Sequence, residues 1–226
     1  MGLYYREELS NGQEIAVWEI TESEEELQQA CADVGHDIRS YMQITNKQRR
    51  MERMAVRLLL DVMQGPHIQL CHTENGRPFL STVLPFLEGC VEQVSLPVVS
   101  IAHTKRFACL LTGPGKKAGI DIECLARNFE AVEKKALHST EKAFLSSHKQ
   151  ERSRQLAFIW CAKEAVFKYM SIQEVDFSLQ MAVAPFVPHG LNPLYVTYLE
   201  DGKRSMPLRL CHKELEDHIM VWVAPE

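Results

Sequence analysis

The chain has 226 residues, enough for one large domain or two small ones that share a core. Apolar residues make up 46% and charged residues 24%, an ordinary globular composition, and a net charge of -5 excludes a general nucleic-acid binder. No apolar run approaches the roughly 18 residues of a membrane span, and the N-terminus lacks the basic and then apolar pattern of a secretory signal. Met1-Gly2 opens a myristoylation pattern, but Arg6 stands where that pattern wants Ser or Thr. Cys31, Cys71, Cys90, Cys109, Cys124, Cys161 and Cys211 are scattered singly, with no CxxC pair. They fit a reduced, cytoplasmic protein with packing cysteines better than a disulfide framework.

Residues 14–20, EIAVWEI, alternate and are rich in branched and aromatic side chains, which predicts a strand. Thr21 with Glu24 three residues on forms a capping-box pattern and predicts a helix start. Thr45 with Gln48 predicts a second helix, running to about Met63 and closed off by Pro66. Its Arg49, Arg50, Arg53 and Arg57 cluster at three- and four-residue steps, opposite Met51, Ala55, Leu58, Leu59 and Val62. That basic stripe reads either as a solvated face or as a phosphate-binding one, and the spacing alone leaves both open.

Asn75-Gly76 marks a turn after a short strand. Residues 96–113 read as strand, turn at His103 to Arg106, and strand. A Gly- and Lys-containing turn follows, then the strand GIDIE. Two short helices come next, then a long one over about 151–171. Alternation returns in PLYVTYLEDGKRSMPLRL and HIMVWVA, with Asp201-Gly202 as a hairpin signal. The order suggests two similar, intimately packed α+β halves, residues 1–112 and 113–226.

Within GIDIE, Asp121 and Glu123 are two apart and project to one side of the strand, while Ile120 and Ile122 project to the other. Two hard oxygen donors so placed suit Mg²⁺, although acids facing water would read the same way. On the long helix, Trp160, Glu164 and Lys168 recur at four-residue steps and share a face, flanked by Lys163 and Phe167. A carboxylate and a lysine one turn apart can serve a metal and a phosphate side by side. The same pair also reads as an exposed i,i+4 Glu–Lys pair. Trp160 reads as core packing. His138, His148, His212 and His218 have no metal-ligand spacing, so no zinc site is expected.

GIDIE followed about forty residues later by WCAKEAVFK resembles the signature of the 4'-phosphopantetheinyl transferases, G-[IV]-D-x-E and then W-x-x-K-E-[AS]-x-x-K. Upstream, NGRPFL and VSIAHT resemble two further family segments, with Arg77 for the usual lysine, His103 at the histidine and Ala102 for a serine. The resemblance covers roughly residues 45–185, and the length matches the larger, surfactin-synthetase type. It implies an α+β fold of two similar subdomains arranged as a pseudo-twofold pseudodimer, with the active site at their interface. It also implies transfer of the phosphopantetheine arm of coenzyme A to a serine of an acyl or peptidyl carrier protein, with release of 3',5'-ADP.

By the same resemblance, Asp121, Glu123 and Glu164 would hold Mg²⁺, and Lys168 would neutralise the diphosphate, with Lys163 as a second phosphate contact. Arg50, Arg57, Arg77 and His103 would serve the nucleotide end. Asp121, Glu164 and Lys168 are the expected catalytic set, with Glu164 or a metal-bound water as base. A monomer is expected, with coenzyme A and a carrier as partners and no nucleic acid or membrane. The basic stretch HKQERSRQ is a candidate surface for an acidic carrier. An inactive coenzyme A-binding module is the alternative reading, and a metal-dependent phosphohydrolase is a third.

Overall fold

Where branched and aromatic residues run together the chain makes strands, and where apolar residues recur every third or fourth position it makes helices. In the computed structural model, which describes residues 2–82, 96–200, 203–204 and 206–224, the result is an α+β fold. The chain divides into two units, Met1–Ala118 and Gly119–Glu226.

In chain order the first unit contains β1 (Leu3–Glu8), β2 (Glu14–Glu19), α1 (Glu24–Asp33), α2 (Arg39–Met42), α3 (Lys47–Gln64), β3 (Ile68–His72), β4 (Pro78–Thr82), β5 (Val98–His103) and β6 (Phe107–Gly113). Its sheet has the order β1-β2-β6-β5, antiparallel throughout, and β3 and β4 form a separate hairpin. The apolar face of α3, with Met54, Ala55, Leu58 and Leu59, packs on Ala16, Trp18, Ala108 and Leu110 of that sheet.

Both helix starts fall later than the sequence predicts. The cap of α1 is Ser23, in a reciprocal box with Glu26, rather than Thr21 with Glu24. Ile20 is still tied to the sheet, its N–H donating to Arg106 O, so the chain turns into helix only beyond it. Asn46 rather than Thr45 caps α3, accepting from Arg49 N, while Gln48 donates to Lys105 O instead of closing a box. At the far end Gly65, at φ 82°, ends the helix one residue before Pro66.

The second unit contains β7 (Ile120–Cys124), α4 (Glu130–Lys135), α5 (Ser139–Lys142), α6 (Lys149–Met170), α7 (Phe177–Gln180), β8 (Met181–Val183), β9 (Leu194–Glu200), β10 (Lys203–Arg204), β11 (Leu208–Leu215) and β12 (His218–Val223). Its sheet runs β10-β9-β11-β12-β7, with β8 pairing β9 as well. The turn signal at Asp201-Gly202 lies outside the described residues.

Helix α6 buries residues all round its middle turns, from Leu156 through Val166, as a helix inside a core must. It lies on the sheet face that carries Ile219, Val221 and Val223. Register fixes which face that is. Ile219 pairs with Glu123 and Val221 with Asp121, whereas Met220 pairs with Ile122 and Trp222 with Ile120. Cross-strand partners point to the same side. The two acids therefore lie on the helix-packed side of the sheet, not on a solvated one.

Candidate active site

Gly119 brings β7 and α6 together. A side-chain carbon added there would lie 2.2 Å from Ala165 O and 2.8 Å from Tyr169 N, so only glycine allows this approach. With the backbones this close, the row Trp160, Glu164 and Lys168 on α6 faces the acids of β7. Trp160 Nε1 donates to Glu123 Oε1 at 2.8 Å. Lys168 Nζ donates to Asp121 Oδ1 at 2.7 Å and to Ile120 O at 3.2 Å. Helical periodicity sets Glu164 between these two contacts.

Electrostatics follow from that packing. Burial, together with the carboxylates of Asp121 and Glu123, pushes the Glu164 carboxyl up to about 7 against the pull of Lys168. Burial also raises Glu123, with Asp121 adding to the rise and Arg127 opposing it from 2.5 Å. Lys168 is raised even though burial pulls it down, because Asp121 and Glu164 outweigh the desolvation. Beneath the site, burial and then the same carboxylates lift the Cys161 thiol, which donates to Ile219 O.

The donor set fits a hard divalent cation. Asp121 Oδ2 is buried with no hydrogen-bond partner. Among the described residues the Glu164 carboxyl makes no side-chain hydrogen bond or ion pair. Three carboxylates share one patch, and their mutual repulsion is relieved by positive charge. They do not all converge to within 4.8 Å, because Glu123 is drawn to Trp160 and Arg127 while Asp121 is drawn to Lys168.

Other expected phosphate contacts are placed differently. Lys163 is fully buried and faces away from the carboxylates. Its ammonium donates to Glu141 Oε2 at 2.8 Å, Ala136 O at 2.7 Å and Phe177 O at 3.0 Å, which uses all three hydrogens. Adjacent helical positions diverge by about 100°, so Lys163 and Glu164 serve different faces. Arg57 is buried too, paired with Asp61 and donating to His36 Nε2 at 3.0 Å. Arg50 pairs with Glu24 and donates to Ile44 O and Thr45 O. Two of the four arginines in the stripe, Arg50 and Arg57, are thus spent on internal partners, while Arg49 and Arg53 are exposed.

Arg77 stays exposed just past the Gly76 turn, and His103 is exposed with Nδ1 3.1 Å from Glu52 Oε2. The basic stretch HKQERSRQ forms the first turns of α6, where Arg152 pairs with Glu133, while Arg154 pairs with Glu214 and donates to Pro188 O. Two participants escaped the sequence reading. Arg127 was visible as a cation four residues beyond Glu123. Glu141, the partner that fixes Lys163, had no signal because its contact spans 22 residues.

A family model described as the 4'-phosphopantetheinyl transferase superfamily matches residues 117–223. The matched stretch is nearly the whole second unit and includes every residue of the β7–α6 site. No curated protein matches the chain.

Proposed function

We propose that the protein transfers the 4'-phosphopantetheine group of coenzyme A to a serine of an acyl or peptidyl carrier protein. The observation that carries this reading is the β7–α6 site, with three carboxylates and Lys168 on facing elements inside the stretch that matches the family model. Among the described residues no helix is long and apolar enough to cross a membrane.

In this reading Asp121, Glu123 and Glu164 hold Mg²⁺, whose positive charge, when bound, offsets the charge of the diphosphate. Lys168, already fixed against Asp121, brings a second positive charge to the same place. Arg77 and His103 are assigned to the nucleotide end, as the family resemblance implies. Lys163, Arg50 and Arg57 hold the fold. The carrier serine oxygen bonds to the β-phosphorus. The bond from that phosphorus to the bridging oxygen breaks, and its electron pair leaves with 3',5'-ADP. Glu164 takes the serine proton as general base.

The test is the intact mass of a purified carrier protein after incubation with this protein, coenzyme A and Mg²⁺. A gain of one phosphopantetheine group is expected, together with its loss in Asp121→Ala. Coenzyme A binding with no mass gain on fatty-acid, polyketide or peptide-synthetase carriers would favour an inactive binding module instead.

A further inference from the structure

Strand alternation puts Cys124 on the opposite face of β7 from Glu123. Its cross-strand partner is His218, the first residue of β12. The turn before β12 holds Glu216 at φ 52° and then Asp217, whose carbonyl accepts from Leu125 N. This turn brings three different donor types to one place. Cys124 Sγ lies 3.7 Å from Asp217 Oδ2, and His218 Nδ1 lies 2.8 Å from Asp217 Oδ1. A sulfur, an oxygen and a nitrogen, one from each residue, all fall within 4.8 Å of one another, and this is the one such trio among the described residues.

We propose that Cys124, Asp217 and His218 form a metal site for a borderline cation such as Zn²⁺, separate from the carboxylates under α6. Donor chemistry decides the cation. Thiolate and imidazole favour Zn²⁺ and its neighbours over Mg²⁺, and one carboxylate completes a three-residue set. Size agrees as well. Tetrahedral bonds of about 2.0 to 2.3 Å set donors about 3.3 to 3.5 Å apart, so small side-chain rotations bring this trio into line. Thiolate and carboxylate together carry the charge that a divalent ion neutralises. The His218 side chain is 4% exposed and the Asp217 side chain 53% exposed, so the site is anchored on one side and open to a water ligand on the other. A bound ion would clamp the end of β7 to the β11–β12 turn, one residue beyond Glu123.

The full chain, reduced and stripped of metal, is titrated with Co²⁺ and followed by absorption. A thiolate-to-cobalt charge-transfer band is expected. It should vanish in Cys124→Ser and persist in Asp121→Ala, which separates this site from the carboxylates. Zn²⁺ should abolish the band by competition and slow alkylation of Cys124. Asp217→Asn, on the exposed ligand, should weaken Zn²⁺ at least about tenfold with the near-ultraviolet circular dichroism unchanged, which guards against a Cys124→Ser variant that does not fold. No band in the native chain, or a band that survives Cys124→Ser, overturns the proposal.

Discussion

Glu123 accepts from two donors through one oxygen, Trp160 Nε1 and Arg127 Nη1, and this explains why a half-buried acid keeps its orientation beneath α6. Trp160 is thus both a packing residue, its ring 5.5 Å from that of Phe177, and a hydrogen-bond donor to the site. Trp160→Phe removes the donor together with the pyrrole ring that carries it. A loss of about 1.5 to 3 kcal/mol is expected, the range for bonds to charged groups, measured by denaturant unfolding. The Lys163–Glu141 pair has a different character. Both side chains are fully buried, and Glu141 Oε1 also accepts from Val183 N. Glu141→Ala leaves a buried ammonium without its counter-charge, and about 3 to 5 kcal/mol of destabilisation is expected. Replacing both residues by apolar ones of similar volume should recover most of it, which a double-mutant cycle would reveal.

At the scale of elements, the contact between β7 and α6 both buries core and builds the site. Gly119→Ala should force the strand away from the helix backbone, because the added carbon has no flexible neighbour to displace at Ala165 O. About 1 to 3 kcal/mol of lost stability is expected, with a larger proportional loss of transfer activity, since the Lys168–Asp121 contact depends on that spacing. Much of this contact could be read from the sequence. The i,i+2 acids and the four-residue row on α6 are periodic signals, and periodicity survives folding. Which way the acids faced could not be read. Alternation separates Asp121 and Glu123 from Ile120 and Ile122 but does not say which side the helix covers, and here Asp121 is buried, as are the two isoleucines, while Glu123 is half-buried. The fate of the arginines was hidden for a related reason. Glu24 and His36 meet Arg50 and Arg57 only after the segment around α1 has packed on α3, and no local pattern announces partners 26 and 21 residues away, whereas Arg57–Asp61 is a four-residue step within α3 that the sequence displays. β1 escaped notice because only one of its six residues is even half-buried, which leaves no alternation to read.

For the whole molecule, the buried carboxyls tie stability to pH. The native Glu164 carboxyl titrates near 7, above the ordinary 4.5, so between those values the folded chain holds a proton that the unfolded chain has released. The stabilising contribution is complete below about 4.5 and is lost as pH rises through about 7. The raised Glu123 acts in the same direction. In the absence of divalent cations, the thermal midpoint should therefore fall across this window. Glu164→Gln should flatten the fall, and Mg²⁺ should oppose it by binding the ionised form. Differential scanning calorimetry at a series of pH values, with and without Mg²⁺, would check all three.

The Cys161 thiol lies at the floor of the β7–α6 contact, fully buried and held in its protonated form. A thiol reagent can reach it only when the helix lifts from the strand. Its alkylation rate under native conditions is therefore a clock for that opening, independent of any substrate. Occupancy of the carboxylates above it should slow the clock, so a cysteine with no chemical part in the reaction would report, from inside the core, how often the site comes apart.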